Sequence, residues 1–169
     1  DIITPPPQAL TKWTIRMKHT ALDEFAAASL DDSTGWTTVY DTDTVTISET
    51  GWLKFPFQTL FDYDGNNNLM VDFSFNNDSA TETPVSWCRV TTLDGSRSVY
   101  ASSNSADGDP LNWSGSTNPT VSLSTNQVPY IKIRFQEELV PGIAFSREFD
   151  DEVLDSEFWI GASNVELTM

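Results

Sequence analysis

Segment 51–77 alternates apolar and polar residues in two runs that are separated by a polar turn. A period of two is typical of β-strands with one buried face. Between the runs, residues 62–68 contain Gly65 and three consecutive Asn, residue types that tolerate positive φ and bond to their own backbone. We therefore predict two long strands that meet at a sharp corner and contribute to one core. The apolar positions are Leu53, Phe55 and Phe57 in the first run and Leu69, Val71, Phe73 and Phe75 in the second.

The rest of the chain repeats this pattern in shorter segments. Its 169 residues are enough for one sizeable core, and Ser, Thr, Asn and Asp fill the spaces between apolar runs. This distribution favours an all-β domain with many turns. We predict a single domain over residues 1–169, a two-sheet antiparallel β-sandwich of jelly-roll-like form with eight or nine strands. The core pattern covers residues 11–135.

One short helix is predicted near residues 21–30. Thr20 is placed to cap its first turn together with Asp23, and Leu22 and Phe25 fall on one side. A helix of this length is stable only when it packs on a sheet. We therefore expect it to lie against the sandwich.

The formal charge is −16 and the pI is near 4.1. Like charge repels nucleic acid phosphates and anionic lipid surfaces, so we expect neither as a partner. Cations, neutral sugars and other proteins remain, although an acidic surface also serves solubility alone. No run approaches the roughly 18 apolar residues of a membrane span. Asp1 is not followed by a charged-then-apolar leader, so we expect an export signal to be removed or to lie upstream.

Residues suited to catalysis are sparse. Cys88 is the only cysteine, which excludes an internal disulfide and favours a small buried side chain. His19 is the only histidine, and its place at the end of an apolar face favours a hydrogen-bonded packing residue. The acidic pairs at 137–138 and 150–151 are adjacent, so in a strand they point to opposite faces and cannot flank one bond. We expect no enzymatic activity.

Oxygen-rich side chains in the corner loop are candidate calcium ligands. Asp62, Asp64 and Asn66 alternate there, but the segment departs from the helix-loop-helix calcium motif because Gly65 directly follows Asp64. A plain turn is the competing interpretation. Other acidic sets, at residues 107 and 109 or at residues 150, 151 and 155, are alternative sites. We predict structural Ca²⁺ as a cofactor, with Asp62, Asp64 and Asn66 as its ligands.

The six tryptophans divide into two groups. Trp13, Trp52 and Trp87 alternate with polar residues in strands and are predicted to pack in the core or on sheet faces. Trp36 follows Gly35, and Trp113 lies in a polar loop, so both are better placed for exposure. An exposed indole stacks on the apolar face of a pyranose while polar side chains bind its hydroxyls. The predicted sugar site comprises Trp113, Trp36, Asn112 and Asp109, and a Trp113 that covers the core is the alternative.

Four motifs in order carry a resemblance over about residues 11–135. They resemble a β-sandwich module of large secreted bacterial proteins, which occurs beside polysaccharide-degrading or adhesive domains. The resemblance implies an extracellular or cell-surface location and no catalytic residue. The motifs are the run 12–20, Gly51-Trp52, the pair of segments 61–65 and 68–71, and the run 108–115.

The C-terminal region carries a second, weaker resemblance. Residues 149–159, an acidic turn before Trp159, are similar to the opening of concanavalin-like sandwich domains. Residues 136–169 are then the start of a neighbouring domain. Alternatively, the alternation of Val165, Leu167 and Met169 predicts a strand that closes this domain's own sheet, which we favour because an orphan half-domain exposes its apolar face.

The sequence predicts a non-catalytic extracellular carbohydrate-binding module of a multidomain secreted protein. Its expected partners are a polysaccharide or glycan and other domains of the same polypeptide. The alternative is a structural or adhesive spacer domain that binds no small ligand.

Overall fold

The computed structural model describes residues 1–25, 34–78, 86–102, 109–112, 123–135 and 165–168. Almost all regular structure in these ranges is antiparallel β-strand, so the predicted all-β class is confirmed. The strands are β1 (Ile2–Thr4), β2 (Leu10–Thr20), β3 (Thr37–Val45), β4 (Lys54–Phe55), β5 (Asn68–Ser74), β6 (Trp87–Cys88), β7 (Val90–Thr92), β8 (Ser98–Tyr100), β9 (Leu123–Thr125), β10 (Gln127–Pro129), β11 (Lys132–Phe135) and β12 (Val165–Thr168), with a 3₁₀ turn at Pro110–Asn112.

The longest strand, β2, lies at the centre of a three-stranded sheet with the order β3-β2-β5. Ile15 pairs with Tyr40 on one side and with Phe73 on the other. Because successive side chains point to opposite faces, β2 presents Trp13, Ile15 and Met17 to one side of this sheet. All three are buried, as the alternation in the sequence predicts.

A second three-stranded sheet has the order β11-β12-β4. Its middle strand pairs through Leu167 with Ile133 and with Phe55. The C-terminal strand thus pairs with a described strand on each side, and its assignment as the closing strand of this domain rather than the start of a neighbouring one stays a prediction. The remaining described strands form two-stranded sheets, β1-β6, β10-β7 and β8-β9.

The hydrophobic core receives side chains from both three-stranded sheets. Trp13 of β2 stacks on Phe55 of β4 with ring centroids 5.7 Å apart, and Tyr63 packs beside Phe135 of β11 at 6.2 Å. Aromatic pairs at such distances add to the stabilisation from area burial. The two-layer, jelly-roll form of the sandwich stays a prediction, because the described strands fall into five sheets. The buried core residues are Leu10, Trp13, Ile15, Met17, Val39, Ile47, Phe55 and Phe61.

Of the two long strands predicted in segment 51–77, only the second is long in the structure. The second is β5, but the first shortens to two residues, Lys54–Phe55. Pro56 lacks the amide hydrogen that a longer ladder needs. The strands also pair with different partners, β5 with β2 and β4 with β12.

The sequence Asp-Thr-Asp at residues 41–43 favours a turn, but no turn forms there. Strand β3 runs through these residues, with Asp41 opposite Thr14 and Thr42 opposite Trp13. Pairing with the long central strand overrides the local turn preference of Asp and Thr. An irregularity in register between Ile15 and Arg16 absorbs the mismatch between the two strands.

The helix predicted near residues 21–30 does not begin where the capping pattern places it. Thr20 is still in β2, opposite Asn68, and residues 21–25 are not helical. The Thr20 hydroxyl accepts a hydrogen bond from the Leu22 amide at 3.1 Å, which closes a local turn instead. Residues 26–30 lie outside the described ranges. Within those ranges the structure contains no apolar helix of membrane-spanning length.

The three tryptophans predicted to pack in strands differ in solvent exposure. Trp13 is buried, but Trp52 is 41% exposed and Trp87 is 63% exposed. Trp52 precedes Leu53, which packs against the core, so the alternation points the indole outward. The core alternative of the prediction is therefore wrong for Trp52 and Trp87, and the sheet-face alternative is left for both. Cys88 is half-buried.

Replacement of Ile15 tests the two-sided packing of β2. Its side chain has no exposed surface, so we expect Ile15→Ala to lower the free energy of unfolding by about 2–5 kcal/mol and Ile15→Val by about 0.5–1.5 kcal/mol. Thr38→Ala, at an exposed position of β3, is the control and should change it by less than about 0.5 kcal/mol. Urea unfolding measures all three. Equal losses for Ile15→Ala and Thr38→Ala would contradict the assigned core.

Candidate functional site

The face of β2 opposite the core carries polar residues. Thr14, Arg16 and Lys18 alternate with the buried apolar positions. Thr14 and Lys18 are themselves buried, so this face is covered rather than open to solvent. A buried ammonium needs compensating partners. Lys18 Nζ lies 3.5 Å from the carbonyl oxygen of Thr34.

Arg16 is the centre of this face. It lies opposite Asp72 of β5 in register, and its Nε and Nη2 lie 2.8 and 2.7 Å from Asp72 Oδ2. Its Nη1 donates to the carbonyl oxygen of Leu111 at 3.0 Å. The planar guanidinium supplies donors in fixed directions, so it can bind a carboxylate and a carbonyl at once. Arg16 therefore fixes the 3₁₀ turn against the central sheet.

Two effects act on the carboxyl of Asp72. Burial raises its pKa above the usual value, and the neighbouring Arg16 charge and hydrogen bond oppose this rise. Desolvation disfavours the ionised form, whereas an adjacent cation favours it. The carboxylate of Asp72 therefore depends on Arg16 for its charge compensation.

Trp36 lies beside the same cations. Arg16 Cζ and Lys18 Nζ are each 5.0 Å from the centroid of its ring. Cations at this distance are attracted to the negative face of the indole. The residue is half-buried, so it is less exposed than its position beside Gly35 predicts.

The other predicted sugar-binding residues lie in or beside the 3₁₀ turn. Asp109 Oδ1 accepts from the amide of Leu111 at 3.0 Å, and the Asp109 carbonyl accepts from the amide of Asn112 at 3.0 Å. The side chains of Asp109 and Asn112 are exposed. Trp113 lies outside the described residues. The structure thus brings Trp36 and the turn to a common neighbour, Arg16.

Sequence patterns alone do not indicate that Arg16, Lys18 and Asp72 belong to this site. The signal available was the alternation of β2 and β5, which puts two cations and one carboxylate on the faces away from the core. Alternation alone does not give the register between strands. It therefore could not pair Arg16 with Asp72.

The candidate calcium ligands lie in a turn organised by Asp64. Its Oδ1 accepts from the amides of Asn66 and Asn67 at 2.9 and 3.0 Å, and its Oδ2 accepts from Asn67 Nδ2 at 2.6 Å. These hydrogen bonds stabilise the ionised form and lower the pKa of Asp64 to about 2. The carboxylate is therefore ionised at neutral pH.

The fit of this turn to a calcium ion is incomplete. An ionised carboxylate offers roughly four lone pairs, and three donors already bind that of Asp64. Asn66 uses its side-chain amide nitrogen to donate to the Asp64 carbonyl at 3.0 Å. Asp62 is exposed. Across the described part of the chain, no cluster of three or more His, Cys, Asp or Glu side chains is arranged to hold a metal ion. Calcium binding stays a prediction.

His19 lies at the edge of the same turn. Its Nε2 accepts from the amide of Asp64 at 3.1 Å, and its ring centroid is 4.9 Å from Phe61 and 5.7 Å from Tyr63. The Tyr63 hydroxyl donates to the carbonyl of Asn67 at 2.9 Å. His19 is thus a hydrogen-bonded packing residue, as the sequence predicts, and it connects β2 to the corner.

Comparison of the chain with family models, with curated proteins and with solved structures finds no match. The resemblance to modules of secreted bacterial proteins, and that of the C-terminal region to concanavalin-like domains, therefore stay predictions.

The titration of Asp64 tests the architecture of the corner. Since its pKa is lowered to about 2, its contribution to stability is present above the unfolded-state value near 4 and is lost as the pH falls through about 2. NMR titration should show the side-chain carboxyl carbon of Asp64 and the amides of Asn66 and Asn67 changing together near pH 2. A midpoint near 4 would contradict the observed hydrogen bonds.

Proposed function

We propose that this chain is a non-catalytic carbohydrate-binding module that acts outside the cell or at its surface. In this proposal the glycan binds beside Trp36 and the 3₁₀ turn, with Asn112 and Asp109 as ligands for sugar hydroxyls. Other domains of the same polypeptide are its covalent partners. The protein contributes attachment rather than bond cleavage.

One observation carries this proposal. The Arg16 side chain contacts both the Trp36 ring and the Leu111 carbonyl, so it joins an aromatic side chain to a turn about 75 residues away in sequence. Arg16 thus connects a half-buried indole to a turn that carries exposed amide and carboxylate side chains, and aromatic and polar groups together are typical of sugar sites. The packing of β2 positions these groups, so little ordering is needed on binding.

A structural or adhesive spacer is the second candidate. It is favoured by the same contacts, since two cations already lie against the Trp36 ring and Asp109 already caps the turn. In that case Trp36 covers Arg16 and Lys18, and its role is stability.

Glycan binding with matched variants distinguishes the two candidates. We expect the chain to bind a neutral oligosaccharide on a glycan array, and Trp36→Ala and Asn112→Ala each to weaken binding at least about fivefold, since each removes one sugar contact. Asn112 is exposed, so its variant should fold normally. Trp87→Ala removes an exposed indole elsewhere and is the control.

Two outcomes would contradict the carbohydrate proposal. One is the absence of binding to any neutral glycan at millimolar concentration. The other is equal loss of affinity in Trp87→Ala and Trp36→Ala. A large drop in the melting temperature of Trp36→Ala without any glycan binding would favour the spacer.

We propose structural Ca²⁺ at Asp62, Asp64 and Asn66 as a separate part of the function. The support is the alternation of three oxygen-bearing side chains in one turn, those of Asp62, Asp64 and Asn66. Because three donors already bind the Asp64 carboxylate, we expect weak affinity, in the millimolar range of extracellular calcium modules.

Thermal unfolding with and without calcium tests this ion. A ligand that binds only the folded state stabilises it, so 10 mM CaCl₂ should raise the melting temperature and 10 mM MgCl₂ should not. Asp62→Asn should abolish the shift. An unchanged midpoint in CaCl₂ would remove calcium from the proposed function.

A further inference from the structure

The outer face of the β11-β12-β4 sheet concentrates positive charge. Lys54, Lys132 and Arg134 are exposed, and their alternating neighbours in the same strands pack against the core. They account for three of the nine Lys and Arg residues in a chain with 25 acidic residues. We call this surface, together with Trp52 and Tyr130, the cationic face.

The strand register fixes the spacing of these charges. Lys132 pairs with Thr168, and Thr168 pairs with Lys54, so the two lysines lie on one row across the sheet. Two strand spacings separate them by about 10 Å, and Arg134 lies about 7 Å along β11 from Lys132. The sheet therefore holds three cations in a fixed triangle, with one acidic residue, Glu166, at the register position opposite Arg134.

Aromatic side chains border this triangle. Trp52 is 41% exposed, and Tyr130 is 40% exposed. Lys132 Nζ lies 4.3 Å from the centroid of the Trp52 ring, the shortest cation–π distance in the described part of the chain. An apolar plane and a positive charge are thus presented side by side.

We propose that the cationic face binds a carboxylated polysaccharide, with Trp52 and Lys132 as its central contacts. A uronic acid carries an apolar C–H surface and a carboxylate on one pyranose ring. The Trp52–Lys132 pair matches both features, because aromatic surfaces pack on pyranose rings and ammonium groups bind carboxylates.

The net charge of −16 does not prevent this binding. The Debye length is about 8 Å at physiological ionic strength, so charges on remote parts of the domain are largely screened at the ligand. At contact distance the charges of the cationic face contribute most of the electrostatic energy of a bound ligand. The acidic remainder of the surface instead limits binding to a short segment of the polymer.

A carboxylated sugar fits this face better than a nucleic acid does. In a nucleotide the stacking base and the phosphate are separated by the ribose, whereas Trp52 and Lys132 are in direct contact. Nucleic acid affinity also comes from neutralising many phosphates, and three cations in an acidic protein provide few such contacts. This inference is independent of the Trp36 site.

Binding of polygalacturonate to the 169-residue chain tests the proposal, with size-matched dextran as the neutral polymer. We expect polygalacturonate to bind, dextran to bind at least tenfold more weakly at this face, and affinity to fall as salt is raised. Lys132→Gln and Trp52→Ala should each weaken polygalacturonate binding at least fivefold. The matched controls are Lys12→Gln, an exposed cation on β2, and Trp87→Ala, which should stay within twofold.

Specific outcomes would overturn the inference. These are no binding of polygalacturonate at millimolar uronate, equal loss in Lys12→Gln and Lys132→Gln, or tighter binding of single-stranded oligo(dT) than of polygalacturonate. Loss of polygalacturonate binding in Asn112→Ala, with Lys132→Gln unchanged, would place the anionic ligand at the Trp36 site instead. Circular dichroism and melting temperature of each variant confirm that losses reflect binding, since Lys132 and Trp52 are both exposed.

Discussion

The central position of β2 is the constraint on which the rest of this structure depends. Strand β2 is flanked by β3 and β5, so both of its backbone edges are hydrogen-bonded, and side chains on both of its faces are buried. Its apolar face packs on the second three-stranded sheet through contacts such as Trp13 with Phe55. Its polar face therefore has to satisfy buried polar groups, and Arg16 does so through Asp72 and Leu111. The candidate site at Trp36 follows from this requirement, because the guanidinium that Asp72 and the Leu111 carbonyl hold in place also lies against the Trp36 ring.

The pattern of alternation predicted the burial of side chains better than it predicted strand lengths and partners. Trp13, Ile15 and Met17 are buried as expected because the period of two depends only on local backbone geometry. The strand around Phe55 shortens to two residues, and the segment at Asp41 is a strand rather than a turn, because pairing with distant segments decides both. Such pairing is set by the whole sheet and cannot be derived from residues that are adjacent in sequence.

In the candidate sites, too, local features were predictable from the sequence, whereas contacts between distant segments were not. Exposed polar residues such as Asn112 and the turn-forming role of Asp64 follow from local composition, since Asn and Asp bond to nearby backbone groups. The contribution of Arg16 depends on its register with Asp72, and the contact between Trp52 and Lys132 joins segments 80 residues apart. The sequence leaves Trp52 either in the core or on a sheet face, because alternation with Leu53 and Phe55 separates the two faces but does not say how far the outer face is covered.

Cations in this acidic chain lie beside aromatic rings on two separate surfaces. Arg16 and Lys18 flank Trp36, and Lys132 contacts Trp52. Arg16 and Lys18 lie on the covered polar face of β2, where they have little contact with water. Their charges interact with Asp72 and with backbone carbonyl oxygens. Lys132 is exposed, so its charge is available to an incoming carboxylate at a smaller desolvation cost. A cation beside a tryptophan thus favours a neutral ligand, or none, at Trp36 and an anionic ligand at Trp52. The difference between the two surfaces is the solvent exposure of the cation.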